Sequence, residues 1–571
     1  MPSLQWQRPK TVDLVVLICK TRHFSMKEIV KHSWSAHTAA AVLIGIHFAL
    51  AFSSARIKSP TIDEYTYIAS GYYYVQTGDF RLDRTHPPLI RLLIGLPLQF
   101  LSINAPDPQM EKWDDPVSYE LGYLLGKDML LHRNNDIRTI LLAARCPIML
   151  LSCALAWLIY IWCSQMYGRA GGLAALFLYV FCPNMLAHCR LATLDLGSSF
   201  FLVLALYMLH RALQSPNRLR WILSGAALSA ALASKATAFL LTPIFLAAIV
   251  WKQAGGASSL LAISYGALCK QMGWIFASCI LVLFLVYGFP FKPFYFIDTL
   301  NNVVGKSFAS GKGGESIPGM PHRNYAFYLM GEYSTNGWPY YYLIAAAVKT
   351  PPALMLSLIL YGIWGRRRWR GCSDGLILGA IVLLHVLAAF NRVNIGLRHI
   401  LPFYPLLYLY MGRIVEFQKR RAGSLILMLL GIGYASSCAL IHPDYLSYFN
   451  RLAGGPEKGH EYLDDSNIDW GQDLGRIAAV KNMYPDEPIF IAQEYIFSPY
   501  AFGFSAQPLQ REQIASPPRG IVAVSKHWAI RNRIHPRSPY YFNWLEKYRP
   551  IGNIGHSIWL FRFGVGEDAE S

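Results

Sequence analysis

The sequence predicts a polytopic α-helical membrane protein that ends in a small α/β domain. Three observations lead there. The 571 residues are 54% hydrophobic and only 15% charged, against roughly 25% charged in an ordinary soluble protein. The apolar residues come in runs long enough to cross a bilayer. The net charge of +18 is uneven: 39 Lys+Arg face 19 Asp+Glu before His442, and 13 face 15 from His442 onward. A mean hydropathy of +0.28 with 14% aromatics excludes a disordered or collagen-like chain and a small disulfide-stapled one. The length exceeds what one soluble core usually serves.

The apolar runs predict eleven spans, at 37–55, 140–162, 168–184, 195–213, 221–234, 236–251, 272–290, 341–363, 375–390, 399–412 and 424–441. The pair flanking Lys235 is short for a bilayer. With the N-terminus inside, alternate loops hold twenty basic residues, from Arg8 to Arg421, against Asp13, Glu28, Asp374 and Glu416. Such one-sided basic loops are a topology signal, so the positive charge points to no nucleic-acid partner. Segments 56–139, 291–340 and 442–571 then lie outside. Segment 11–19 is too short for a span and is followed by charges, unlike a cleaved signal peptide.

The domains read as a cytoplasmic segment 1–36, a transmembrane domain 37–441 and an exported domain 442–571. In the last, Pro488–Ala492, Gly520–Val524 and Ser557–Phe563 read as strands, with a short helix at Tyr541–Tyr548. It contains no Cys, and no Cys-x-x-Cys spacing occurs anywhere, so neither a disulfide framework nor a Cys metal site is implied.

The first exported loop carries the densest chemistry. Tyr65, Ile68, Tyr72 and Val75 recur at helical spacing, which predicts an amphipathic helix along the membrane surface. A second begins after Thr85-His86-Pro87-Pro88, since Pro suits a first helical turn. Thr61 with Glu64 forms a capping-box pattern, and acids in a first turn complement the helix dipole. A carboxylate at the bilayer interface also suits a general base. Both hold if Glu64 caps and Asp63 faces a reacting group. Arg190 and Asp195, at the outer mouth of the third and fourth spans, suit phosphate and cation binding, or simply helix-dipole compensation.

Asp63-Glu64, His86-Pro87-Pro88-Leu89, Arg190…Asp195 and Ser234-Lys235-Ala236-Thr237 together resemble the GT-C superfamily of integral-membrane glycosyltransferases. The chain is most similar to protein O-mannosyltransferases and aminoarabinose–lipid A transferases, through an uncharacterised bacterial branch marked by Asn394–His399, Tyr445–Asn450 and Asp465–Leu474. The resemblance implies sugar transfer from a polyprenyl-phosphate carrier to a glycan, lipid or protein hydroxyl on the outer, periplasmic side of a bacterial inner membrane. It implies that Asp63 is the base and that Asp195 supports a divalent cation or the phosphate. No family metal ligand aligns in 291–340, so metal dependence stays open.

The remaining candidates rest on residue type and placement. His322, Arg323 and Tyr325 lie in the long polar loop 291–340, where a solvated loop and a donor or acceptor site are both open, and Glu64 and His86 of the first loop are candidates for the same donor or acceptor site. Glu332 in that loop is the second candidate cation ligand. Arg398 and His399, at the outer end of the tenth span, suit capture of the carrier phosphate; a snorkelling Arg is the alternative. Lys235 has the same two readings. The run Asp465–Asp473 spaces acids like a calcium loop but has Trp470 and Arg476 where Gly and Glu are needed. A polar turn opening a helix, or an acceptor or cation site, then remain. The rival function is a transporter or flippase for a lipid-linked sugar, which would favour midplane charges and repeated broken helices.

Overall fold

The computed structural model describes residues 33–114, 118–254, 264–288, 326–364, 372–419, 421–493, 497–510, 513, 516–532 and 547–564. Helix α1 (Ser33–Ala55) is followed in the first loop by α2 (Ile62–Thr77), α3 (Leu89–Gly95) and α4 (Ser118–Leu131). Next come α5 (Ile137–Val180), α6 (Pro183–Cys189), α7 (Leu194–Gln214), α8 (Arg218–Ser234), α9 (Leu241–Gln253) and α10 (Tyr265–Tyr287). The hairpin β1 (Phe327–Leu329) and β2 (Glu332–Ser334) precedes α11 (Tyr341–Lys349), α12 (Pro352–Trp364), α13 (Cys372–Phe390), α14 (Phe403–Met411) and α15 (Arg421–Ile441).

Among the described residues seven helices are long and apolar enough to cross a membrane, or eight if α11 and α12, bent by 106°, form one span. The expectation of eleven differs for three physical reasons. Spans 140–162 and 168–184 share α5, which breaks at Gly168, where φ is 79° and ψ 171°. Ser152 Oγ then lies 2.6 Å from Tyr179 OH, so the two halves fold back along each other. The expected 221–234 span is the 17-residue α8. The expected 399–412 span is a 3-10 turn, Leu397–Ile400, and the nine-residue α14. At 1.5 Å per residue α14 reaches about 14 Å, short of the ~30 Å hydrocarbon layer. Arg413 reaches Asp374 at 2.5 Å and Tyr167 OH at 2.6 Å, joining three ends placed on one side.

The first loop departs from two helices lying on a surface. Glu64–Tyr74 of α2 are all buried, because α3 packs on one side and α4, which the sequence reading did not foresee, on another. Backbones meet directly where α2 crosses α3. A Cβ at Gly95 would lie 1.9 Å from Gly71 O, so this crossing needs glycine. Leu96 and Phe100 remain exposed beyond α3.

The boundary at 442 also shifts. Tyr445, Leu446, Tyr448, Phe449, Leu463, Ile468 and Trp470 belong to the core of the helical body. A separate core begins with Leu474, under α16 (Ile477–Met483). It is built on β3 (Ile489–Ala492), β4 (Gln507–Pro508), β5 (Gly520–Ser525), β6 (Gly552–Ile554) and β7 (Ile558–Phe563), with α17 (Lys526–Asn532) after β5. The strand order is β4-β3-β5-β7-β6. β3 pairs in parallel with β4 and β5, while β7 runs antiparallel to β5 and β6. The three expected strands are therefore β3, β5 and β7; most of the expected helix at 541–548 lies outside the described residues.

Candidate active site

Four side chains from four separate segments meet at one end of the helical body. Asp63 enters from the first turn of α2, Asp195 from that of α7, Lys235 from the turn after α8, and Arg398 from the 3-10 turn before α14. Arg398 Nη1 lies 2.6 Å from Asp63 Oδ2 and 3.9 Å from Asp195 Oδ2, while Lys235 Nζ lies 2.6 Å from Asp195 Oδ1. Two acids and two bases thus form one largely buried cluster of zero net charge. Burial pushes the Asp63 carboxyl above the ordinary carboxylate range; Arg398 pulls it down without cancelling the rise, and Asp195 and Asp465 add to it.

Glu64, one residue on, does different work. It completes the capping box with Thr61. It is fully buried and accepts from Arg145 twice, at 2.8 and 2.7 Å, and from the Ala192 amide at 2.8 Å. Burial opposes its ionisation, yet Arg145 and the two backbone donors hold its carboxyl below the usual range. The Arg145 guanidinium also donates to the carbonyls of Ala55, Lys58 and Ser59. This node fastens α1, α2, α5 and the Asp195 loop together, so Glu64 frames the site that Asp63 faces. Arg145 was missed by the sequence reading. Its signal was available, as a lone Arg inside an apolar run needs a buried partner.

His86 joins the four through its turn. Arg91 forms a buried 2.7 Å ion pair with Asp83 and donates to the Asp83 and His86 carbonyls, which shapes the His86-Pro87-Pro88 corner. Burial and the neighbouring Lys235 push the His86 imidazole down to about 3, so it is neutral at physiological pH. Its Nδ1 makes no hydrogen bond among the described residues, nor does His399 Nε2. Arg190 is fully buried, with Arg145, Asp473 and Glu64 as its strongest electrostatic neighbours, and none of its guanidinium nitrogens makes a hydrogen bond among the described residues.

Among the described residues, the surroundings of Asp195 and Glu332 do not suit the expected divalent cation. Asp195 is already flanked by the Lys235 and Arg398 cations, and like charge opposes a third. Glu332 sits exposed on the β1–β2 hairpin, which is tied to Tyr462 by the Met330 amide and to Ile530 by Tyr333 OH. Among the described residues no three His, Cys, Asp or Glu side chains converge as metal ligands. His322, Arg323 and Tyr325 lie outside the described residues.

The Asp465–Asp473 run is not a calcium loop but the joint between helical body and sheet. Asp469 accepts from Ser525, and Asp473 accepts from Lys58 at 2.5 Å, Arg476 at 2.9 Å and Ser557 at 2.9 Å. The adjoining Asp464 meets His527 at 2.8 Å and Arg531 at 2.7 Å. Asp464, Asp469 and Asp473 each take a partner from the sheet side of the joint.

Residues 138–287 match the family model for dolichyl-phosphate-mannose-protein mannosyltransferase. No curated protein matches the chain. Among solved structures, ArnT from Cupriavidus metallidurans bound to undecaprenyl phosphate aligns with 91% of this chain and 97% of its own, at 11% identity and a TM-score of 0.45. The S. cerevisiae Pmt1–Pmt2 complex bound to the sugar donor aligns with 55% of this chain and 44% of its own, at 15% identity and a TM-score of 0.32. The apo Archaeoglobus fulgidus oligosaccharyltransferase aligns with 81% of this chain and 59% of its own, at 11% identity and a TM-score of 0.43. Over the segment that carries Arg190, Asp195 and Lys235, the chain is similar to the dolichyl-phosphate-mannose-protein mannosyltransferases.

Proposed function

We propose that the protein is a membrane glycosyltransferase that moves a sugar from a polyprenyl-phosphate carrier to an acceptor hydroxyl at the outer face of the membrane. The observation that carries this reading is the convergence of Asp63, Asp195, Lys235 and Arg398. The matched family, named for transfer from dolichyl phosphate to protein, supplies the reaction class.

The chemistry needs a base and a place for the leaving phosphate. Asp63 takes the proton of the acceptor hydroxyl, whose oxygen attacks the anomeric carbon. The bond from that carbon to the phosphate oxygen breaks, and a single displacement inverts the centre. Arg398 and Lys235 neutralise the charge that develops on the phosphate. The raised Asp63 carboxyl makes a stronger base once ionised than an ordinary carboxylate. Burial holds the His399 imidazole neutral as it does that of His86, so the unpartnered nitrogens of both supply hydrogen bonds without adding charge. No step is assigned to a divalent cation.

The test is release of polyprenyl phosphate from synthetic polyprenyl-phosphate sugars in proteoliposomes, with a membrane extract as acceptor pool. Release that depends on both extract and Asp63 supports the reading. Movement of intact donor between leaflets without release overturns it in favour of a transporter.

A further inference from the structure

The loop 465–473 grips both halves of the catalytic pair, and Trp470 is where the two grips meet. On the Arg398 side, Asn467 Oδ1 accepts from the Leu397 amide at 3.0 Å, and Ser466 Oγ donates to the Ile395 carbonyl at 2.7 Å. On the Asp63 side, the Trp470 carbonyl accepts from the Ile62 amide at 3.1 Å, and the Gln472 carbonyl accepts from Ser59 at 2.9 Å. Gln472 returns to the Trp470 amide at 2.7 Å, which stiffens the loop. Trp470 is 1% exposed, and the Arg398 guanidinium lies over its ring, 4.2 Å from the centroid.

Stacking has a property that an ion pair lacks. It fixes the plane of a guanidinium through the face and uses none of its N–H groups. Arg398 gives Nη1 to Asp63, and its buried Nε makes no hydrogen bond among the described residues. A buried donor without an acceptor is costly. A phosphate approaching the free edge would satisfy it and take a second oxygen on the same edge.

The geometry points to Trp470 as a positioning residue: its indole sets the plane of Arg398 for two-oxygen capture of the carrier phosphate, while its carbonyl ties the Asp63 helix to the same loop. This rests on the functional reading above. It also accounts for a segment that resembled a cation loop by its acids alone.

The test is undecaprenyl phosphate affinity in nanodiscs across a double-mutant cycle. Trp470→Leu should weaken binding about tenfold, and Trp470→Phe should weaken it by less. With Arg398→Lys already present, neither change should alter affinity by more than about twofold, because a point charge has no plane to orient. Equal losses in both backgrounds would mean a merely structural role and overturn the assignment. If Trp470→Leu does not fold, the Trp470→Phe arm decides alone: a loss confined to the Arg398 background supports the assignment, and no loss or equal losses overturn it. Absence of binding by the wild type would instead overturn the functional reading, and this inference with it.

Discussion

Arg398 Nη1 lies 2.6 Å from Asp63 Oδ2, so the group assigned to hold the leaving phosphate is ion-paired with the group assigned to take the acceptor's proton. The carrier phosphate and Asp63 therefore compete for one guanidinium. Donor binding would free the carboxylate and remove the cation that lowers its basicity. Asp63→Asn should cut transfer by about 10²–10⁴, as loss of a general base does, and should tighten undecaprenyl phosphate binding several-fold. Turnover and affinity measured on the same preparation check both. Transfer above half of wild type would sink the role of Asp63.

Arg398 itself divides a snorkelling residue from a phosphate ligand. Arg398→Ala should weaken carrier binding strongly, and Arg398→Lys should recover only part of it. Lysine supplies a charge, but not the two-oxygen fork or the stack on Trp470. Equal affinity for wild type and Arg398→Lys would favour simple anchoring at the headgroups.

The Glu64–Arg145 node should govern stability more than chemistry. Arg145→Ala leaves a buried carboxylate without its cation and should cost about 3–5 kcal/mol. Glu64→Gln strands Arg145 in the same way. Because the Glu64 carboxyl is held below its ordinary range, its contribution is present above that range and is lost as pH falls through the lowered value. Unfolding in detergent as a function of pH reads the loss, which should vanish in Glu64→Gln.

The acid limb of the transfer rate should lie above the ordinary carboxylate range. Asp63 must be ionised to act, and burial raises the pH at which it ionises. The rate therefore falls as pH drops through that raised value. Arg398→Gln removes a cation that pulls the other way and should move the limb higher still. The rate at donor well below saturation, which reports the free enzyme, measures it across pH; an unmoved limb would assign the titration to another group.

The expected sidedness is open to thiol labelling. Tyr500→Cys, at an exposed turn of the C-terminal domain, should react with an impermeant thiol reagent added outside. A cysteine placed within 365–371 should react only from inside. The background needs Cys269, which is exposed, replaced. Labelling of both from one side would shift the span count by one.

The sequence by itself determined the membrane class, the order of the apolar segments and three strands of the tail, because hydropathy and period are local properties. It also singled out Asp63 and Arg398, the first by an acid pair at a helix start and the second by a basic residue at a span end. Only the tertiary structure decided that these two touch. They are 335 positions apart, and nothing in local spacing encodes that distance. The same holds for Arg145, which read as one residue of an apolar run until Glu64 stood beside it. Asp469 and Asp473 stand in a run that resembled a cation loop because local pattern reports only spacing; their partners Ser525 and Lys58 come from chain 56 and 415 positions away. A buried charge is defined by what neutralises it, and in this chain the neutralising partner usually arrives from another segment.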